Sequence, residues 1–408
     1  MLLKKLATLW LLAVVLWTCP VHVANAACGD GASTCWWVGG GSSTAWNATG
    51  NTNWGTASNT RDNVGPPVAG DHVCFDGSAN GNTASNLSTA FSIADIDFTG
   101  CGGGGGSYTQ SLTFGAVTLT ISGNDAGAPG GAAFKLSSGM TYGAAAANRA
   151  TTFTATSGTS SIISAGKNMG NLTLNGVGGT FQLSTNAYTG TDTNTTITLT
   201  NGTFNSNGQN VTVPFFSSSN SNTRVLTMGS SVWTITGSSG TPFDLTTATN
   251  LTVNADTSTL SFVAPTAGAR SFATGGKAFN IVSASDANSN LFAFTISGAP
   301  TIATLNLTAP LNITFSNATT TTITNAFTWT GTSTAPFYVR GSNAPGGTNA
   351  TISIASGTPT IAWGIIDHMT FSGGATFSAT NSLSLSNNSG ITITPPSTGG
   401  GGFIIGGG

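Results

Sequence analysis

Short segments of the chain alternate between apolar and small polar residues, which is the pattern of a β-strand with one buried face. In residues 118–121, for example, Leu119 and Ile121 alternate with Thr118 and Thr120. The alternation returns roughly every 10 to 25 residues, a spacing typical of sandwiches, barrels and solenoids. Further examples are residues 111–114, 171–174, 196–199, 211–213, 232–235, 251–253, 305–307, 313–315 and 352–354. These segments predict an all-β protein.

The same texture runs from residue 107 to residue 394 without a break that would separate two domains. Its segments meet at short corners such as Asn201-Gly202, which let a chain wind around a single axis. We therefore predict a parallel β-helix, or β-solenoid, rather than a β-sandwich. Turns of roughly 22 residues would stack in about 13 layers at about 4.8 Å each.

The composition supports strands and turns over helices. Only 5% of the 408 residues are charged, all 12 acidic residues are Asp, and there are 56 glycines. Good helix formers such as Glu and Lys are therefore scarce. The 39% hydrophobic content and 22 phenylalanines argue against disorder. A net charge of −2 provides no basic patch, so nucleic acid is not an expected partner.

The N-terminus has the three parts of a secretory signal peptide. Lys4 and Lys5 precede the apolar residues 6–17, and Ala24 and Ala26 are the small residues before a cleavage site. We predict residues 1–26 as the signal peptide, cleavage after Ala26, and a secreted or cell-surface protein. Lipidation at Cys19 is the alternative. We expect no membrane span in the mature chain, because no other segment is long and apolar enough.

Four cysteines remain after cleavage, an even number that indicates two disulfides in a secreted chain. They are Cys28, Cys35, Cys74 and Cys101. Of the three possible pairings we favour Cys28 with Cys35 and Cys74 with Cys101. A metal site is the alternative, but paired C-x-x-C spacing is missing. We predict a Trp- and Cys-rich N-terminal cap over residues 27–106, the solenoid over 107–394, and a disordered Pro/Gly-rich tail over 395–408.

The segment from Trp37 through Trp46, Trp54 and Gly70-Asp71-His72-Val73 to Asp76 resembles the opening of bacterial and phage-metagenomic secreted β-helix adhesin-like proteins. Residues 201–213 are similar to turns of the same group, whose repeats are like those of autotransporter passengers. The resemblance implies a β-helical, surface-exposed structural protein. The chain departs from autotransporters because it lacks a recognisable C-terminal barrel.

Four tryptophans are concentrated in the predicted cap: Trp36, Trp37, Trp46 and Trp54. Aromatic rings can form a platform that stacks on sugars, so these residues are candidates for glycan binding. The alternative, which we favour, is that they fill the core of the cap, because aromatic side chains bury large areas.

Several carboxylates are candidates for acid/base chemistry or for cation binding. Asp71 and Asp76 flank His72, while Asp95 and Asp97 lie two apart in a strand and therefore share a face. We expect Asp95 and Asp97 to be solvated rather than catalytic, since few basic partners are available. No cofactor or metal is expected.

His368 follows Asp367 near the end of the chain. Neighbouring residues in a strand point to opposite faces, so we expect a corner hydrogen bond rather than a general base. No G-x-S-x-G element accompanies either mature histidine.

The sequence therefore predicts a secreted structural or adhesive protein without catalytic activity, with glycans or cell-surface components as partners. The first alternative is a β-helix polysaccharide lyase or glycosidase that uses Asp95, Asp97 and Asp71. The second is a phage-derived fibre or decoration protein, against which the signal peptide argues. The sequence gives neither the ligand nor the oligomeric state.

Overall fold

The structure is a computed structural model. It describes residues 28–41, 43–48, 53–62, 64–78, 83–102, 106–143, 149–264, 268–286, 293–308, 311–342 and 347–397. The predicted signal peptide and most of the predicted tail lie outside these residues. In the described part of the chain no helix is long and apolar enough to cross a membrane.

The described residues form 36 strands. The first twelve are β1 (Thr34–Trp37), β2 (Trp54–Gly55), β3 (His72–Phe75), β4 (Ser85–Leu87), β5 (Phe91–Ile93), β6 (Asp95–Asp97), β7 (Ser111–Phe114), β8 (Thr118–Ile121), β9 (Phe134–Lys135), β10 (Thr141–Tyr142), β11 (Ala150–Phe153) and β12 (Thr159–Ile163). The next twelve are β13 (Asn171–Leu183), β14 (Tyr188–Thr189), β15 (Thr196–Asn205), β16 (Val211–Val213), β17 (Phe215–Ser217), β18 (Arg224–Thr227), β19 (Val232–Ile235), β20 (Gly240–Asp244), β21 (Leu251–Asn254), β22 (Thr259–Ala264), β23 (Arg270–Ala273) and β24 (Ala278–Asp286). The last twelve are β25 (Ala293–Ser297), β26 (Thr301–Thr308), β27 (Asn312–Phe315), β28 (Thr320–Thr330), β29 (Phe337–Gly341), β30 (Ala350–Ile354), β31 (Thr360–Ala362), β32 (Gly364–Asp367), β33 (Met369–Ser372), β34 (Phe377–Thr380), β35 (Leu383–Ser384) and β36 (Ile391–Thr394).

These strands stack as a parallel β-solenoid of about 12 turns, which confirms the predicted fold class. They form sheets of 21, 3 and 12 strands, and each strand pairs with strands of the neighbouring turns. Among the strand pairs of the described residues, only β1 with β2 is antiparallel. Parallel pairing between turns requires a long connection, and here the rest of each turn supplies it.

Inward-facing residues from successive turns stack along the axis. Leu172, Ile197, Phe216 and Phe243 occupy matching positions in β13, β15, β17 and β20 and are fully or almost fully buried. Burial of one such side chain contributes about 1.5 to 3 kcal/mol. The alternation in sequence thus becomes one continuous apolar core that runs through the described turns.

The N-terminal turns belong to the same stack. The 21-stranded sheet contains a parallel series of N-terminal strands in the order β1, β3, β6 and β9. β2 pairs with β1 in the antiparallel direction. The sulfurs of Cys28 and Cys35, and those of Cys74 and Cys101, are at bonding distance, which confirms the favoured pairing. Parallel pairing therefore begins within residues 27–106; the cap boundary at residue 106 stays a prediction.

Candidate functional site

The N-terminal turns carry a group of polar side chains on the outer face of their parallel sheet. Register places His72 opposite Asp95, and it places Asp97 between Cys74 and Lys135 on the neighbouring strands. The residues between them, such as Ile96, face the core, so alternation directs the polar side chains outward. We call His72, Asp95, Asp97 and Lys135 the polar cluster.

His72 and Asp95 form a close contact between the Nδ1 and Oδ2 atoms of neighbouring turns. The hydrogen bond with Asp95 raises the pKa of the His72 ring above 6.5, and burial opposes this shift. Burial raises the pKa of Asp95 above 3.8, against the effect of the hydrogen bond with His72. Both directions mean that the folded pair holds a proton more tightly than the separate groups do.

Asp97 has two carboxyl oxygens in different surroundings. Oδ1 accepts hydrogen bonds from the Thr99 amide at 2.5 Å and from the Thr99 hydroxyl at 2.6 Å. Oδ2 is buried without a hydrogen-bond partner and lies 3.6 Å from Nζ of Lys135. The Asp97 side chain is 1% exposed and that of Lys135 is 26% exposed. The carboxyl group is thus closed off from solvent and approached by one amine.

Residues 122–133 of the next turn cover the polar cluster. Asp125 holds this segment in place, because it accepts hydrogen bonds from the amides of Ala133 and Ser161. A Cβ atom added at Gly130 would lie 2.0 Å from Oδ2 of Asp97, so the backbone packs directly on the carboxyl group. The expectation that Asp95 and Asp97 are solvated is therefore wrong: they are 2% and 1% exposed.

Two other buried carboxylates hold loops of the N-terminal turns. Asp71 accepts hydrogen bonds from four backbone amides, two at each oxygen, at 2.7 to 3.3 Å. The donors are Gly29, Gly31, Ser33 and Val68. Asp76 likewise accepts from the Ser58 hydroxyl and from the amides of Asn59 and Ser78. These interactions organise the backbone and leave the oxygens little capacity for substrate.

Cys28, Cys35 and Asp71 bring three potential metal donors within 4.8 Å of one another. The two sulfurs are bonded to each other, and the Asp71 oxygens already accept backbone N–H groups. A thiolate is the form that binds a metal, and a disulfide does not provide one. These residues therefore do not fit a metal centre.

Three of the four candidate tryptophans fill the core of the N-terminal turns. Trp37, Trp46 and Trp54 have no exposed surface and contact one another or Phe75 edge-on or stacked. A ring without exposed surface offers no face to a sugar. These three tryptophans therefore fill the core, as the favoured alternative expected, and do not form a glycan platform. Trp36 is partly exposed on the outer face, opposite Cys74.

His368 forms the expected kind of corner hydrogen bond. Its φ of 53° breaks the strand after Asp367, and its Nδ1 atom lies 2.7 Å from Oδ1 of Asp367. The Ser386 hydroxyl lies 3.4 Å from Nδ1 and 3.5 Å from Nε2, nearly equidistant from the two ring nitrogens. A catalytic triad needs the serine on the nitrogen opposite the carboxylate, so this group lacks that arrangement.

A second polar surface lies on the 12-stranded sheet. Eight uncharged side chains of successive turns stand opposite one another there, partly or fully exposed: Asn168, Thr189, Thr212, Thr234, Ser261, Ser283, Asn306 and Thr328. We call them the polar row. Asn168, at one end of the row, donates to the Thr191 hydroxyl and accepts from the Gly170 amide. Within the described residues, the other seven side chains form no hydrogen bond with another protein group. The row spans about 34 Å at the usual strand spacing.

Sequence reasoning identified the residue types of both surfaces but not their arrangement. The His72–Asp95 contact and the polar row depend on the register between turns. No family model matches the chain, and neither the curated proteins nor the solved structures include a match.

Proposed function

We propose that the chain is a secreted structural or adhesive surface protein without catalytic activity, which binds glycans or cell-surface components through its Thr-, Ser- and Asn-rich face. The polar row is the observation that supports this proposal. Its hydroxyl and amide groups face outward over eight successive turns, and all of these side chains except Asn168 make no hydrogen bonds to the described protein groups.

Weak contacts repeated at a fixed spacing suit a partner that is itself extended and repetitive. Each hydroxyl forms a modest hydrogen bond in water, but bonds made along a rigid row reinforce one another through effective concentration. The row carries no charged residue, so an uncharged, hydroxyl-rich partner such as a neutral polysaccharide is the matching chemistry. Adhesion by this route needs no deep cleft.

The test is binding of the folded chain to a panel of neutral polysaccharides and cell surfaces. A Thr234→Lys/Ser283→Lys double variant places two charges in the polar row and should weaken binding about tenfold or more. The matched control is Thr152→Lys/Thr198→Lys, which inserts the same charges at the same separation of two turns on the 21-stranded sheet. Equal loss in both variants, or no binding by the parent chain, would refute the proposal.

A carbohydrate-active β-helix enzyme is the second candidate, and the His72–Asp95 contact favours it. A histidine paired with a carboxylate in a site that holds a proton can act as general acid or base. Asp95→Asn should then abolish turnover of a polysaccharide that the parent chain degrades. The absence of turnover on every member of the panel would remove this candidate.

A further inference from the structure

We propose that Lys135 and Asp97 condense to an intramolecular isopeptide bond that joins two neighbouring turns of the solenoid. The two residues stand opposite each other in β9 and β6, with Nζ of Lys135 3.6 Å from Oδ2 of Asp97. This inference is independent of the proposed function, since it concerns a covalent link within the chain rather than a partner.

The carboxyl group of Asp97 is prepared for attack at its carbon atom. Its Oδ1 atom accepts two short hydrogen bonds from Thr99, and its Oδ2 atom accepts none. Two donors aimed at one oxygen stabilise the negative charge that develops there in a tetrahedral intermediate. Oδ1 therefore becomes the amide oxygen, and Oδ2, which faces the amine, leaves.

The surroundings hold the two reacting side chains close to each other. Asp97 is almost fully buried, and the backbone at Gly130 packs against its Oδ2 atom. The reaction requires one proton to pass from the Lys135 ammonium to the Asp97 carboxylate, and the 3.6 Å between Nζ and Oδ2 keeps that transfer local. Register and burial hold the reacting atoms together, which removes most of the entropic cost of their encounter.

The reaction balances without any further reagent. The Nζ lone pair forms a C–N bond with Cγ of Asp97, the Cγ–Oδ2 bond breaks, and Oδ2 leaves as water with the two protons that it acquires. Both protons come from Nζ, which changes from an ammonium group to an amide N–H. The partly exposed side of Lys135 gives the water a way out.

The proposed bond lies beside an existing covalent link. Cys74 stands opposite Asp97 in the neighbouring strand and is bonded to Cys101. The disulfide joins β3 to the segment that follows β6, and the isopeptide bond would join β6 to β9. Unlike the disulfide, the amide would survive reducing conditions.

The deciding experiment is the intact mass of the folded parent chain after complete reduction. We expect a mass lower by one water than the mature sequence requires, in full or in a fraction that grows during incubation. Chymotrypsin cleaves after Phe98 and Phe134, so a branched peptide that joins Asp97 to Lys135 should appear in tandem mass spectra. The proposal would be overturned if the folded, protease-resistant chain still had the full mass of its sequence, without loss of water, after prolonged incubation.

Three variants locate the reaction. Lys135→Arg keeps the positive charge but should restore the full mass. Lys167→Arg is the control, because Lys167 donates a hydrogen bond to the Ser138 carbonyl and not to a carboxylate, and it should retain the loss of water. Asp97→Asn should still form the bond, but with loss of ammonia. A mass loss that persists in Lys135→Arg would also contradict the assignment.

Discussion

Buried carboxylates distinguish the N-terminal turns at the scale of single residues. Asp71, Asp76, Asp95 and Asp97 are each at most 2% exposed, although acidic side chains are rarely buried without partners. Backbone amides, hydroxyls, His72 and Lys135 are the partners here. The sequence could show that these residues are close together along the chain, but not that residues 122–133 fold over two of them. A contact made by another turn leaves no local signal.

Removal of the Asp71 charge should destabilise the N-terminal turns. Asp71→Asn replaces one acceptor oxygen by an NH2 group and leaves two backbone amides without a partner, at a cost of about 2 to 3 kcal/mol. The measurement is a urea unfolding curve followed by tryptophan fluorescence, because Trp37, Trp46 and Trp54 lie in this region. Asp62→Asn, at an exposed carboxylate that accepts hydrogen bonds from the amide and hydroxyl of Thr56, is the control and should shift the midpoint much less. Equal midpoints for the two variants would contradict the structural role of Asp71.

The His72–Asp95 contact should make stability depend on pH. The folded His72 ring has a pKa raised above 6.5 by Asp95, so its contribution is complete below pH 6.5 and is lost as pH rises through the raised pKa. Asp95, whose pKa burial raises above 3.8, also loses its contribution as pH rises. Asp71, Asp97 and Asp125 are the other charged groups that act on this pair.

The unfolding midpoint of the parent chain should therefore fall as the pH rises above 6.5. In His72→Gln this fall should largely disappear, because the titrating ring is gone. Thermal unfolding over this range, read by circular dichroism, compares the two chains. A slope that is the same in both would show that His72 does not control the dependence.

At the scale of strands and turns, the sequence predicts which positions are buried but not how the turns are aligned. Alternation predicted the buried positions of strands such as β13, where Leu172 and Leu174 face the core. It did not predict register, because the turns differ in length: Leu172, Ile197, Phe216 and Phe243 are neighbours in space but unevenly spaced in sequence. A repeat without a fixed period cannot be aligned from its residues alone.

Gly202 illustrates how closely neighbouring turns approach. Its φ is +80°, and a Cβ atom there would lie 2.3 Å from the carbonyl oxygen of Gly176 and 2.6 Å from that of Gly179. Gly202→Ala should cost about 3 kcal/mol or more, since backbone strain is joined by a steric clash. Gly240 also has positive φ but an open surrounding, so Gly240→Ala should cost only about 1 to 2 kcal/mol.

Chemical denaturation of both glycine variants, with hydrogen exchange to locate the weakened turns, measures the difference. Gly202→Ala should increase exchange in β13, β15 and β18, the strands on either side of the clash. Equal effects of the two substitutions would mean that the neighbouring turn does not approach Gly202 as closely as the distances indicate.

The whole molecule is a stack in which each turn contacts mainly its neighbours. Such proteins derive stability from the sum of adjacent interfaces, so side chains on an outer face can vary without loss of fold. The predicted β-solenoid follows from alternation and short corners, both readable in the sequence. The polar row does not, since it exists only when eight turns with different lengths align Thr, Ser and Asn in register.

We propose that the polar row, and not the polar cluster, binds the partner. Retention of three folded chains on one immobilised partner surface distinguishes these two possibilities: the parent, Thr234→Lys/Ser283→Lys and Asp95→Asn. We expect the row variant to be released about tenfold sooner and Asp95→Asn to be retained like the parent. Retention of the row variant with release of Asp95→Asn would refute this proposal and assign binding to the polar cluster.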